Sequence, residues 1–169
     1  MAGILIRSKI SAEPTSRART GFGPECSLEI EAVLAEETRQ AVRILNPENV
    51  APPIAAYSHL AIIPTGAELL VIAGQVGMGR DRTIPEEPEK QYELALRNIV
   101  DILASQGLTA ASLIKLNIFL VDRLDPEHAK NIRTTILGSS LPPTTLVYVA
   151  GLARPELKVE IEGMAARSI

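Results

Sequence analysis

Near the end of the chain, Val159-Glu160-Ile161-Glu162 alternates aliphatic and acid. On a strand this places two carboxylates on one face and two branched side chains on the other. A strand carboxylate can orient a water molecule and take its proton. The plainer alternative is a solvated face beside Lys158. The other chemically capable residues fall into less useful patterns. His59 and His128 have no ligand spacing to each other or to acids, so no metal site is expected. Ser139-Ser140 has no base in motif context, which argues against a serine hydrolase. Arg154, on the turn before the last alternation, can contact an anion, but a turn arginine is more commonly solvated.

Composition excludes several classes. At 169 residues and 46% hydrophobic content, one domain with a substantial core is expected. The net charge of −3 provides no field for nucleic acid. Aromatics make up 3% with no Trp, which leaves little on which to stack bases. A lone cysteine, Cys26, excludes an internal disulfide and fits a reducing compartment. No apolar run approaches the ~20 residues of a membrane span. Residues 1–10 are basic and free of acids, but the run is short and lacks an amphipathic arginine face. It reads as a loose tail rather than a mitochondrial transit peptide, and a cytoplasmic protein is expected.

The elements that must position any site follow from pattern. Residues 1–26 carry Pro14, Gly21, Gly23 and Pro24 in a linker-like composition. Residues 28–35 alternate as a strand, and residues 40–45 form a second. Residues 57–63 and 68–74, joined by a Pro64-Thr65-Gly66 turn, are expected to pair as a hairpin. Pro85 to Pro88, with Glu86 and Glu87, opens a helix that runs to about Gln106 along a Tyr92, Leu96, Ile99, Leu103 stripe. Gly107 stops it. Residues 112–121 form a long strand, with Ile114, Leu116, Ile118 and Leu120 on one face. Asp125-Pro126 caps a second helix that ends near Gly138. Two strands, joined by a polar turn, close the chain. The order of strand pair, helix, strand, helix, strand pair describes an α+β layer with helices on one sheet face. The other face, bearing Leu69, Val71, Val147 and Val149, needs a partner. The segment from Thr20 to Ala35 also echoes that from Ala150 to Ala166, each with a Gly, a Pro-Glu step and an x-Glu-Ile-Glu strand. A truncated second copy of the domain and coincidence both explain the echo.

From Ala51 to Ile169, these segments taken in order resemble the RidA/YjgF family of small trimeric enamine/imine deaminases. Tyr57-Ser58, Leu70-Val-Ile-Ala-Gly-Gln75, the helix with Gln91 and Asn98-Ile99, the strand Ile114-Lys-Leu-Asn-Ile-Phe-Leu-Val-Asp122 and Asn131 carry the likeness. The family's Pro-x-Arg-Ser/Thr motif corresponds to Pro142-Pro143-Thr144-Thr145, so Thr144 stands where the family keeps its substrate-binding arginine. The resemblance implies a chorismate-mutase-like mixed sheet with two helices on one face, in residues 36–169. Residues 1–35 would then be an N-terminal extension with an extra strand. It further implies a barrel-centred homotrimer with clefts between subunits.

By the same resemblance, the cleft is lined by Tyr57, Gly74, Asn131, Thr144, Leu146 and Glu160. Glu160 and Tyr57 would be the catalytic pair and the other four would bind substrate. Each has a plainer reading. Tyr57 packs and hydrogen-bonds, Gly74 marks a bulge or strand end, Asn131 seeks a polar partner in mid-helix, and Glu160 is solvated. Thr144 offers a hydroxyl in place of a bidentate guanidinium. Leu146 is inert where the family commonly has a cysteine. The expected function is therefore hydrolytic deaminase-type chemistry, without a cofactor, on an imine, enamine or related carbonyl compound other than the usual 2-imino acids. A non-catalytic trimeric metabolite-binding protein is the alternative, and an endoribonuclease ranks third.

Overall fold

The computed structural model describes residues 41–168. The possible strand at residues 28–35, the extension to which it belongs and Cys26 lie outside them.

Strand β1 (Arg43–Leu45) pairs antiparallel with β2 (Leu60–Ile62) in a small two-stranded sheet. The main sheet holds β3 (Glu68–Val76), β4 (Leu113–Leu120), β5 (Thr144–Tyr148) and β6 (Val159–Arg167) in the order β3-β6-β4-β5. Between them run helix α1 (Pro88–Ser105) and helix α2 (Pro126–Leu137).

Two pairing expectations are corrected. The segment before the Pro64 turn does not form a hairpin with the one after it: β2 pairs with β1, and β3 with β6. Pro64 lacks an N–H and ends β2 after three residues, so no ladder can run back along β3. The two terminal strands are likewise not neighbours. β4 lies between them, parallel to β5 and antiparallel to β6. β6 takes a central place because Val159, Ile161 and Ala165 are wholly buried and supply the apolar middle of the sheet.

The helices form where their signals stand. Asp125 caps α2, its carboxylate accepting from the His128 N–H at 2.8 Å, and Pro126 opens the first turn. Gly107, at φ +71, reverses the chain after α1. The α1 stripe of Leu96, Ile99 and Leu103 is fully buried against Leu116, Ile118 and Ile161. The opposite sheet face carries no helix, and on it Leu69 and Val71 stand 51% and 78% exposed.

Candidate functional site

Val159 and Ile161 point into the core at 0% exposure, so the pleat turns Glu160 and Glu162 to the uncovered face. Glu160 pairs with Phe119 on one side and Val76 on the other. The β3–β6 register breaks between Ile72 and Gln75, so Gly74 sits in a bulge. This matches the plain reading of Gly74 as a bulge. A Cβ on this glycine would stand 1.9 Å from Oε1 of Glu160 and 2.8 Å from its Cδ. The absence of a side chain at 74 is what lets the carboxylate lie over the bulge. Two residues 86 positions apart in sequence are thereby brought together.

Thr144 begins β5, the edge strand, in register with the buried Leu116. Its hydroxyl donates to the Pro142 carbonyl at 2.8 Å and accepts from Nη2 of Arg133 at 2.8 Å. Leu146, two residues on, is 47% exposed on the same side of the strand. Tyr57 is half-buried and meets His59 edge-on, with centroids 5.9 Å apart. His59 in turn reaches the Ala51 carbonyl through Nε2 at 2.8 Å. Asn131 is exposed on α2. Thus Glu160 joins Gly74, and Thr144 shares a strand face with Leu146. Among the described residues no hydrogen bond links these pairs to Tyr57 or Asn131. Arg154 is paired with Glu156 on its turn.

Arg133 was not among the expected site residues. It is 8% exposed, the buried polar residue of α2. Spacing could have revealed it: with Ala129, Ile132, Ile136 and Leu137 it completes an inward stripe at helical intervals. It also acts on Tyr92, 4% exposed on α1. Burial pushes the Tyr92 phenol above its ordinary value of 10.0, while the Arg133 charge and a hydrogen bond from it act in the opposite sense. In the unfolded chain Tyr92 loses its proton first. The stability it contributes is therefore complete below pH 10 and is lost as pH rises through the higher folded value. Thermal melts above pH 10 should fall more steeply for the native chain than for Tyr92→Phe. Parallel curves would remove Tyr92 as the cause.

A groove of about 690 Å³ is lined by Gln75, Met78, Arg80, Arg82, Asn98 and Asp101 among others. It includes none of the expected site positions. Among the described residues no three His, Cys, Asp or Glu side chains come together to hold a metal ion, and no helix is long and apolar enough to cross a membrane.

Two helices on one face of a β3-β6-β4-β5 sheet, with an acid on the other, make a chorismate-mutase-like α+β protein. Residues 48–167 match the family described as Endoribonuclease L-PSP. The chain belongs to this family, the RidA/YjgF proteins. It is 25% identical over 125 residues to RutC family protein UK114 of Drosophila melanogaster, spanning 73% of this chain and 88% of that one. Among solved structures it resembles the Rid-family protein YyfB of Yersinia pestis, with a TM-score of 0.67 at 27% identity, covering 75% of this chain and 98% of that one. It also resembles Escherichia coli TdcF, solved with bound serine, with a TM-score of 0.55 at 25% identity, covering 75% and 99%. TdcF is named a candidate reactive intermediate deaminase.

Proposed function

We propose that the chain is a hydrolytic deaminase of a small imine, enamine or related carbonyl compound, working in clefts completed by neighbouring copies in a homotrimer. The observation that carries this reading is the Glu160 carboxylate lying over Gly74 on the uncovered sheet face. Water adds to the imine carbon as Glu160 takes one of its protons. That proton passes to nitrogen, the proton of the added hydroxyl follows it as the C–N bond breaks, and ammonia leaves behind a carbonyl. Tyr57 hydrogen-bonds the reacting end of the substrate, and Gly74, Asn131, Thr144 and Leu146 line its cleft. The protein should accelerate carbonyl release from an imine in buffer. Equal rates with and without protein, across alkyl and aryl imines, would sink the reading.

The substrate is not one of the small 2-imino acids. Residue 144 provides no charge-assisted fork, and a contact of that kind is worth about 1.5–3 kcal/mol. Turnover of 2-iminopropanoate, generated by an amino-acid oxidase, should be roughly 10- to 150-fold below that of an arginine-bearing family member. Matching rates would show that nothing was lost at this position.

The uncharged Thr144 and thiol-free Leu146 favour one alternative, a metabolite-binding protein without turnover. The serine bound to TdcF supports a small-molecule ligand under either reading. The family's description names an endoribonuclease, but a net charge of −3 and 3% aromatics favour small molecules over RNA. The single cysteine supports a reducing compartment such as the cytoplasm.

The apolar uncovered face, together with the family resemblance, supports the homotrimer. Light scattering should give three times the 18.2 kDa chain mass, and Val71→Asp, which places a charge on that face, should give monomers. A monomeric native chain at micromolar concentration would remove the shared clefts as well.

A further inference from the structure

Arg133 is a permanent cation held from water with its hydrogen bonding incomplete. Its Nη2 donates to a neutral hydroxyl, that of Thr144, and its Nε is buried with no acceptor among the described residues. None of the ion pairs among those residues includes it. Other arginines of this molecule show what the same two donors take when free to choose. Arg97 directs Nε and Nη2 to one oxygen of Glu93, at 3.0 and 2.6 Å, and Arg167 directs both to Glu68. Nη2 of Arg133 reaches β5 at Thr144, and the same strand face continues into the exposed Leu146 and Tyr148. A buried guanidinium facing an edge strand, with its carboxylate-binding edge only half used, is built to receive an anion.

We infer that Arg133 binds the carboxylate of the ligand from α2, with Thr144 as its hinge. The carboxylate takes the Nε and Nη2 edge, and the Thr144 hydroxyl turns from the Pro142 carbonyl to donate to it. The small residue at 144 is then a consequence of where the charge comes from: a long side chain there would fill the space the guanidinium occupies. The position of the charge also selects the substrate. A guanidinium that reaches β5 from the helix ends at the strand, whereas one rooted at 144 would project beyond it. The bound carboxylate is therefore drawn back toward α2. A reacting carbon in the cleft must be joined to it by a spacer. The ligand class is a small imine, enamine or ketone whose carboxylate lies several bonds from the reacting carbon, which agrees with poor use of 2-imino acids. This inference rests on the reading of the β5 face as cleft wall.

Binding can test it without turnover. The probes are 4-oxopentanoate, its neutral amide and pyruvate, titrated into the native protein and followed by NMR or calorimetry. We expect 4-oxopentanoate to bind about tenfold or more tightly than either of the others. In Arg133→Met its advantage over the amide should shrink to about twofold or less. In Thr144→Val, which leaves the guanidinium in place but removes one hydroxyl donor to the carboxylate, the advantage should weaken yet stay above about threefold. That second variant covers the case in which Arg133→Met does not fold. Equal binding of acid and amide, a preference that survives in Arg133→Met, its loss in Thr144→Val, or no binding of either keto acid at millimolar concentration would overturn the assignment. Arg133-dependent binding without carbonyl release would leave this inference standing and remove the hydrolase. Carbonyl release indifferent to Arg133 would do the reverse.

Discussion

Glu160→Gln should slow carbonyl release by about 10²- to 10⁴-fold while the melting temperature stays where it was. The amide keeps the shape of the side chain over the β3 bulge but cannot take a proton from the attacking water. Gly74→Ala approaches the same residue from below. Its methyl would stand 1.9 Å from Oε1 of Glu160, so the carboxylate must swing aside, which a flexible side-chain end does at small cost to folding. The acid survives in the wrong place, and a displacement of about 1 Å can cost roughly 10²-fold. Paired measurements of rate and melting should therefore show two variants that fold normally and work badly. Full activity in Glu160→Gln would move the chemistry off β6.

The largest expected loss of stability comes from Gln91→Leu. Gln91 is 0% exposed on α1. Its Nε2 donates to the carbonyls of Pro85 at 2.7 Å and Glu156 at 2.9 Å, and its Oε1 accepts from the Lys158 N–H at 2.8 Å. One amide thus ties the approach to α1, the turn before β6 and the first step into β6. Gly77 makes room for it, since a Cβ there would come within 2.3 Å of the Gln91 backbone. Leucine nearly matches glutamine in size but leaves three backbone groups without partners. At about 1–3 kcal/mol for each group left buried, and with some of them regaining water, the loss should be about 3–5 kcal/mol. The melting temperature should then fall by roughly 10–20 °C. A fall of only a degree or two would mean that solvent replaces these contacts freely.

The helices and the faces of the strands could be read from the residues. Gly107 and Asp125-Pro126 act locally, and local rules suffice for them. The alternation of Leu116, Ile118 and Leu120 declares which face is inward, and burial follows it. Pairing was another matter. A period of two names a strand's faces but not its neighbours, so it cannot tell that β2 pairs with β1 or that β4 separates β5 from β6. The same gap hid the contact of Glu160 with Gly74. Each position could be proposed from resemblance, but their meeting depends on β6 lying beside β3 with a bulge at the crossing. Arg133 escaped for a different reason. A charged helix residue is ordinarily solvated, and only the inward stripe to which it belongs could have marked it as the exception.

The place of β6 also bears on how the protein is made. β6, one of the sheet's two interior strands, is the last of the described elements to leave the ribosome, and it closes against β3 across up to 99 residues of sequence, from Glu68 to Arg167. Until Val159–Arg167 emerges, β3 and β4 have no common neighbour and their backbone edges stay open. Early products of translation are therefore sheets without a centre, a state in which open edges readily pair with the wrong chain. The nascent chain depends on β6 for protection as well as for shape, and a ribosome stalled shortly before Val159 would release a fragment with two helices, the β1–β2 and β4–β5 pairs, and nothing to join β3 to β4.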